Sequence, residues 1–178
     1  MNTISNIPDS AVGALLYGTR WDGGGAQLLL SFSFPGQAST WDYDLAYGTP
    51  GEPNQGFVPF AAAAQQGVRA ALAAWSGHAG VAFTEVDDAG AASGQLRFAA
   101  TGWQMNANRL GYSYLPNPSD SAGDVWLNAG LAATRLASFE PGSLGYFTLL
   151  HEIGHALGLK HPDSVSPYSG AVLGTMPD

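Results

Sequence analysis

Apolar and polar positions alternate along "AQLLLSFSFP" (26–35), placing Leu28, Leu30, Phe32 and Phe34 on one side. A two-residue period puts alternate side chains on one face of a sheet, so this stretch predicts a strand, with "DGGG" before it as a turn. "WDYDLAYGTPGEPNQG" follows, rich in Gly, Pro and polar residues, and reads as loop. The period then changes. Phe60, Ala64, Val68, Leu72 and Trp75 recur at helical spacing in an alanine-rich run, with Pro59 suited to a first helical turn. Gly77 and Gly80 are expected to end that helix. Four short strands are predicted next, "VAFTEV" (81–86), "QLRFAA" (95–100), "LGYSYL" (110–115) and "GDVWLN" (123–128), separated by Asp/Gly/Asn/Pro loops. A second helix is predicted over 143–157, with Phe147, Leu150, Ile153 and Leu157 as its buried face. The order strand, helix, strands, helix indicates an α+β domain.

Composition narrows this picture. At 178 residues and 18.4 kDa, 46% of them hydrophobic, the chain suits one domain with a real core. The formal net charge is −8 and Lys160 is the single lysine. Without a basic stripe, nucleic acid and anionic membrane are poor candidate partners. There is no cysteine, which excludes disulfides and thiol chemistry. The amino terminus lacks a basic, uninterrupted apolar leader, so no signal peptide is read there, and no stretch is long enough to span a bilayer. A monomer is expected.

The chemistry gathers in "HEIGHALGLKHP" (151–162), which holds three of the four histidines. His151 and His155 are four apart on the predicted helix, so their imidazoles share one face and can bind one ion. Zinc is the default for such ligands. Glu152 lies between them, rotated off the ligand face, where it suits a general base acting on water rather than a ligand. Gly158 tolerates the positive φ of a sharp helix exit, which can carry His161 back as third ligand. The full pattern His-Glu-x-x-His-x-x-Gly-x-x-His arises by chance in a chain this long on the order of 10^-5 of the time. Three neutral imidazoles leave the ion its full charge and one position open to water. The reaction class this suits is metal-assisted amide hydrolysis, with Glu152 taking the proton and returning it to the leaving amine.

With this motif, Pro162 directly after His161, and the phrases "LLYGTRW", "SFSFP", "QQGVRAALAAW", "FTEV", "LRFA", "YSYLPN" and "GDVWLN", the chain resembles the metzincin zinc endopeptidases, and among them the serralysins. The likeness runs from residue 11 to about 163 and implies a zincin-like α+β fold. In it a twisted mixed sheet carries one packing helix, a catalytic helix lies below, and a cleft runs between. It implies zinc as cofactor, protein or peptide substrates, and export from the cell. It also implies that "GDVWLN" is the edge strand of the cleft, holding an extended substrate antiparallel along Val125, Trp126 and Leu127 by main-chain hydrogen bonds. The alternative is an ordinary amphipathic strand with Trp126 in the core.

Two features depart from the serralysin pattern. Serralysins carry a Ser-x-Met-Ser-Tyr turn beneath the metal, whereas here Met176, in "GTMPD", is the one methionine after His161 and no tyrosine follows it. Met176 is read as a loop residue, although matrixins place their methionine closer to the third histidine. Residues 1–178 are accordingly read as a single catalytic domain with an incomplete carboxy-terminal part. The Gly-Gly-x-Gly-x-Asp repeats of a calcium-binding β-roll are absent, so calcium is not supported. His78 reads as a helix-end surface residue, and Asp87, Asp88, Asp120 and Asp124 as turn residues. Asp163 could orient a ligand or belong to a turn. Tyr168, in "SPYSG", reads as a loop residue, and Tyr112 and Tyr114 as core or cleft wall. Two rival functions remain: a zinc-bearing module that holds peptides without cutting them, and a zinc amidase for small molecules. Glu152 argues against the first and a long edge strand against the second.

Overall fold

The computed structural model describes residues 2–4, 11–23, 27–41, 51–89, 92–168 and 172. Met176 lies outside them. Near the amino terminus, β1 (Asn2–Thr3) and β2 (Thr19–Arg20) pair antiparallel. The main sheet comprises β3 (Leu28–Ser33), β4 (Val58–Pro59), β5 (Val81–Glu85), β6 (Leu96–Thr101), β7 (Gly111–Ser113) and β8 (Val125–Asn128). Its order is β5-β3-β6-β8-β7, with β4 also against β6. The β5, β3, β6 and β8 strands run parallel, while β4 and β7 are antiparallel to their neighbours. Two helices, α1 (Ala62–His78) and α2 (Leu144–Ala156), pack against each other and the sheet. This is the expected mixed-sheet α+β architecture.

The alternation in β3 separates its faces as predicted, with Leu30 and Phe32 buried and Leu29 63% exposed. The inner strands β6 and β8 are buried at every residue because both faces of the sheet are covered there. On one face Phe98, Val125 and Leu127 meet Val68 and Leu72 of α1 and Leu149 and Ile153 of α2. On the other, Trp126 and Ala99 pack with Trp41, Phe57, Met105, Tyr112 and Tyr114. Trp41 stacks on Trp126 at 5.5 Å between ring centroids.

This arrangement corrects the substrate strand. Val125, Trp126 and Leu127 do not lie on an edge: β8 is bonded to β6 on one side and to β7 on the other, and all three side chains are buried. The edge is β7. Alternation alone could not rank the two strands, because their order depends on pairing between distant segments.

Other boundaries move for local reasons. Pro59 does not open α1 but pairs with Ala99 in β4, where a residue without an N–H can sit at the margin of a sheet. The helix begins at Ala62 and continues through Gly77 to His78. On α2 the buried face is Gly145, Thr148, Leu149, Glu152, Ile153 and Ala156, whereas Phe147 is 61% exposed. Asp88 and Asp124 are buried rather than exposed turn residues. Asp88 pairs with buried Arg97 at 2.6 Å, and Asp124 Oδ1 accepts the Arg97 backbone N–H. The Arg97 guanidinium also lies 3.5 Å over the Trp41 ring.

Candidate active site

Ser143 starts α2 by accepting a hydrogen bond from the Tyr146 N–H at its side chain, which satisfies one of the open donors of the first turn. From there the helix places His151 and His155 one turn apart on its exposed side and Glu152 on its buried side. After the Leu157 cap, Gly158 takes a φ of +108°, and a Cβ there would lie 2.6 Å from the Thr19 carbonyl oxygen. The reversal brings His161 back. The three Nε2 atoms are then 3.0–3.1 Å from one another.

The donor set fits a metal ion. Four-coordinate ions with metal–nitrogen bonds of about 2.0–2.1 Å hold ligand nitrogens about 3.3 Å apart, within a few tenths of the separations present. His155 Nδ1 lies 2.8 Å from the Leu159 carbonyl oxygen, which can only accept. In the neutral ring Nδ1 therefore carries the proton, and Nε2 turns a lone pair to the centre. Burial, followed by His155 and His161, lowers the His151 pKa and so favours its neutral, ligating form. His151, His155 and His161 are thus a group that could hold a metal ion.

Glu152 is 6% exposed, and its Oε2 accepts from Ser113 Oγ at 3.2 Å, while the same hydroxyl approaches the Glu152 carbonyl at 2.9 Å. Burial pushes its carboxyl up to about 7, against the opposing pull of the Ser113 hydrogen bond, His161 and Arg109. A cation among the imidazoles would draw it back down. A buried carboxyl beside the imidazoles, held by one hydroxyl donor, can both take and return a proton. The site opens into a cleft of about 540 Å³ whose walls include Arg109, Tyr112, Phe147 and Val165.

Edge strand β7 forms the upper wall. Tyr114 N–H bonds to the Asp124 carbonyl and Asn128 N–H to the Leu110 carbonyl, both at 2.9 Å, with Tyr112 opposite Trp126 between them. In an antiparallel ladder bonded residues alternate, so the N–H and C=O groups of Gly111 and Ser113 point away from β8. Ser113 and Arg109 received no role from the sequence, because neither lies near the histidine motif along the chain.

The segment 14–17 was also missed. Lys160, 6% exposed, reaches the Ala14 carbonyl oxygen with Nζ at 2.5 Å. Lys160 N–H donates to the Leu15 carbonyl at 2.8 Å, Tyr17 N–H to the Gly158 carbonyl at 3.0 Å, and Ser166 Oγ to the Tyr17 carbonyl. The amino-terminal segment thereby clamps the turn that carries His161. The remaining candidates stay outside the site. His78 ends α1, exposed, with Nδ1 2.9 Å from the Ala74 carbonyl oxygen, and Tyr168 meets Tyr17 edge-on.

Residues 41–169 match the family model for matrixin, Peptidase_M10. Serralysin A of Dickeya chrysanthemi is 33% identical over 127 residues, covering 70% of this chain and 26% of that protein. Serralysin C of the same organism is 34% identical over 127 residues, with the same coverage. The chain thus spans about a quarter of the length of these relatives. The structure of myroilysin aligns with 84% of this chain and 55% of its own at a TM-score of 0.45 and 20% identity. The matched region includes His151, His155 and His161 with strands β4 to β8 and both helices, and the chain belongs to the matrixin family of peptidases.

Proposed function

We propose that the chain is the catalytic unit of a zinc-dependent endopeptidase that cuts extended protein chains. The observation carrying this is the convergence of three imidazole Nε2 atoms to 3.0–3.1 Å beside a buried carboxylate. His151, His155 and His161 are the zinc ligands. Zinc bound there supplies Lewis acidity, acidifying water and polarising a peptide carbonyl. Glu152 removes the proton from the attacking water and delivers it to the departing amine, held for both tasks by Ser113. The outward backbone groups of Gly111 and Ser113 take the substrate as an added antiparallel strand. That role passes from Val125, Trp126 and Leu127 to β7.

Glu152 also weighs against a module that merely holds peptides. A structural zinc site needs no carboxylate buried against its ligands, and burying one is unfavourable. Among the described residues no helix is long and apolar enough to cross a membrane. Export, which the serralysin likeness implies, belongs to the same proposal, as does a monomeric state.

The test is cleavage of denatured casein by the zinc-loaded chain. Cleavage should stop with a chelator, return with zinc, and fall by a factor of about 10^2–10^4 in Glu152→Ala while zinc stays bound. A folded, zinc-loaded chain that leaves casein intact would refute the endopeptidase reading.

A further inference from the structure

We propose that Arg109 selects substrates with an Asp or Glu side chain on the carboxy-terminal side of the cut bond, a reading that rests on the peptidase function above. Arg109 lies at the entry to β7, exposed, in the wall of the cleft that holds His151 and Glu152. Its backbone is fixed at both ends. The N–H donates to Asn106, and the carbonyl accepts from Asn128 Nδ2 at 2.7 Å. The guanidinium lies 4.4 Å over the Tyr112 ring. A guanidinium held over a ring still has N–H donors to offer a carboxylate. Among the described residues Arg109 has no carboxylate in an ion pair, unlike Arg69 with Glu85 and Arg97 with Asp88.

The surroundings reinforce its charge. Arg135 Nη1 donates to the Ala107 carbonyl at 2.9 Å, so a second of the chain's six cationic side chains is anchored to the loop that leads into Arg109, in a protein with net charge −8. Such a local field attracts acidic segments that the rest of the surface repels.

The side of the cut bond follows from strand direction. Ser113 Oγ bonds to Glu152, and a Cβ on Gly111 would lie 3.4 Å from Glu152 Cγ, so the reacting carboxylate sits below these two residues. A peptide antiparallel to β7 runs from Ser113 towards Arg109. Its residues beyond the cut bond therefore approach Arg109, within the first three at a strand rise of about 3.4 Å per residue.

Two measurements test this. A neutral peptide pool with scattered Asp and Glu is cut by the zinc-loaded chain and by Arg109→Gln, and the cut sites are read by mass spectrometry. Binding of fluorophore-labelled octapeptides differing by one Glu or Gln is measured by anisotropy on zinc-loaded Glu152→Gln, with and without Arg109→Gln. Arg69→Gln, on α1 against Glu85 of the opposite edge strand, controls for net charge. We expect about three- to ten-fold enrichment of acid within the first three residues after the cut, and a similar binding ratio that Arg109→Gln alone removes. An acid preference that survives Arg109→Gln, or one on the amino-terminal side, overturns the proposal. Arg109-dependent acidic binding without any cleavage refutes the peptidase reading and keeps only acid recognition by Arg109, whereas cleavage with no acid preference overturns the selection. Absence of both binding and cleavage overturns both.

Discussion

At the scale of single residues, backbone conformation at Gly158 is as important as the ligands it positions. Its φ of +108° and the 2.6 Å that would separate a Cβ from the Thr19 carbonyl leave no room for a side chain. Gly158→Ala should lower stability by about 1–3 kcal/mol and weaken metal affinity more than alanine at α2 positions other than His151, Glu152 and His155, because His161 moves with the turn. Metal titration beside a urea melt checks this, and unchanged affinity would separate the turn from the site. Asp88 has a stability role that reaches into acid. Burial raises its pKa, yet hydrogen bonds from Arg97 and Ser33 with the charge of Arg97 outweigh that and hold it below the ordinary carboxylate value. A depressed folded-state pKa gives stability that is complete above the unfolded value of about 3.9 and lost as pH falls through the folded one. Unfolding followed by fluorescence should therefore steepen below about pH 4. Asp88→Asn should flatten that window and cost about 3–5 kcal/mol at neutral pH, since Arg97 is left buried without its partner. A variant as stable as the parent at pH 7 would contradict this account.

At the scale of elements, β7 and β8 divide the work that sequence assigned to one strand. Both are short apolar-rich runs bounded by turn residues, but β8 has neighbours on both sides and β7 on one. Trp126→Ala should accordingly cost about 3–5 kcal/mol of stability while leaving cleavage preference unchanged in whatever enzyme folds. Altered preference with little loss of stability would return the substrate strand to β8. The helices were more legible. Val68 and Leu72 on α1 and Ile153 on α2 fall on the faces their spacing indicates, since a helix buries one stripe whatever its partner is. Phe147 did not follow. Spacing marks it as core, but it lies over the cleft beside the His151 ring, 6.1 Å between centroids.

Across the whole molecule, the fold joins the amino-terminal segment to the turn that carries His161. Leu15 and Ala14 hold Lys160, and Trp21 Nε1 donates to the Ala156 carbonyl at 2.8 Å, so the amino-terminal segment braces the end of α2 and the turn beyond. An ion bound only by the folded state at about 100 times its Kd contributes about 2.7 kcal/mol, on the order of 5–10 °C in Tm for a domain of this size. Calorimetry with zinc and with chelator should show that difference, and His155→Ala should abolish it. Equal Tm values in both would mean that the three imidazoles do not hold the ion in the folded protein.

The sequence by itself determined that His151, His155 and His161 can converge, that Glu152 lies between the first two, and that Gly158 makes the exit, because these placements depend on helical spacing and on one residue's φ. Both are local properties that a short run of letters carries. It also determined the α+β class through its change of period. Only the tertiary structure decided which strand borders the cleft, that Ser113 bonds to Glu152, that Asp88 and Arg97 pair while buried, and that residues 14–17 hold the turn carrying His161. Each of these joins positions far apart in the chain or depends on strand order. Periodicity shows which face of an element is apolar but not which other element will cover it.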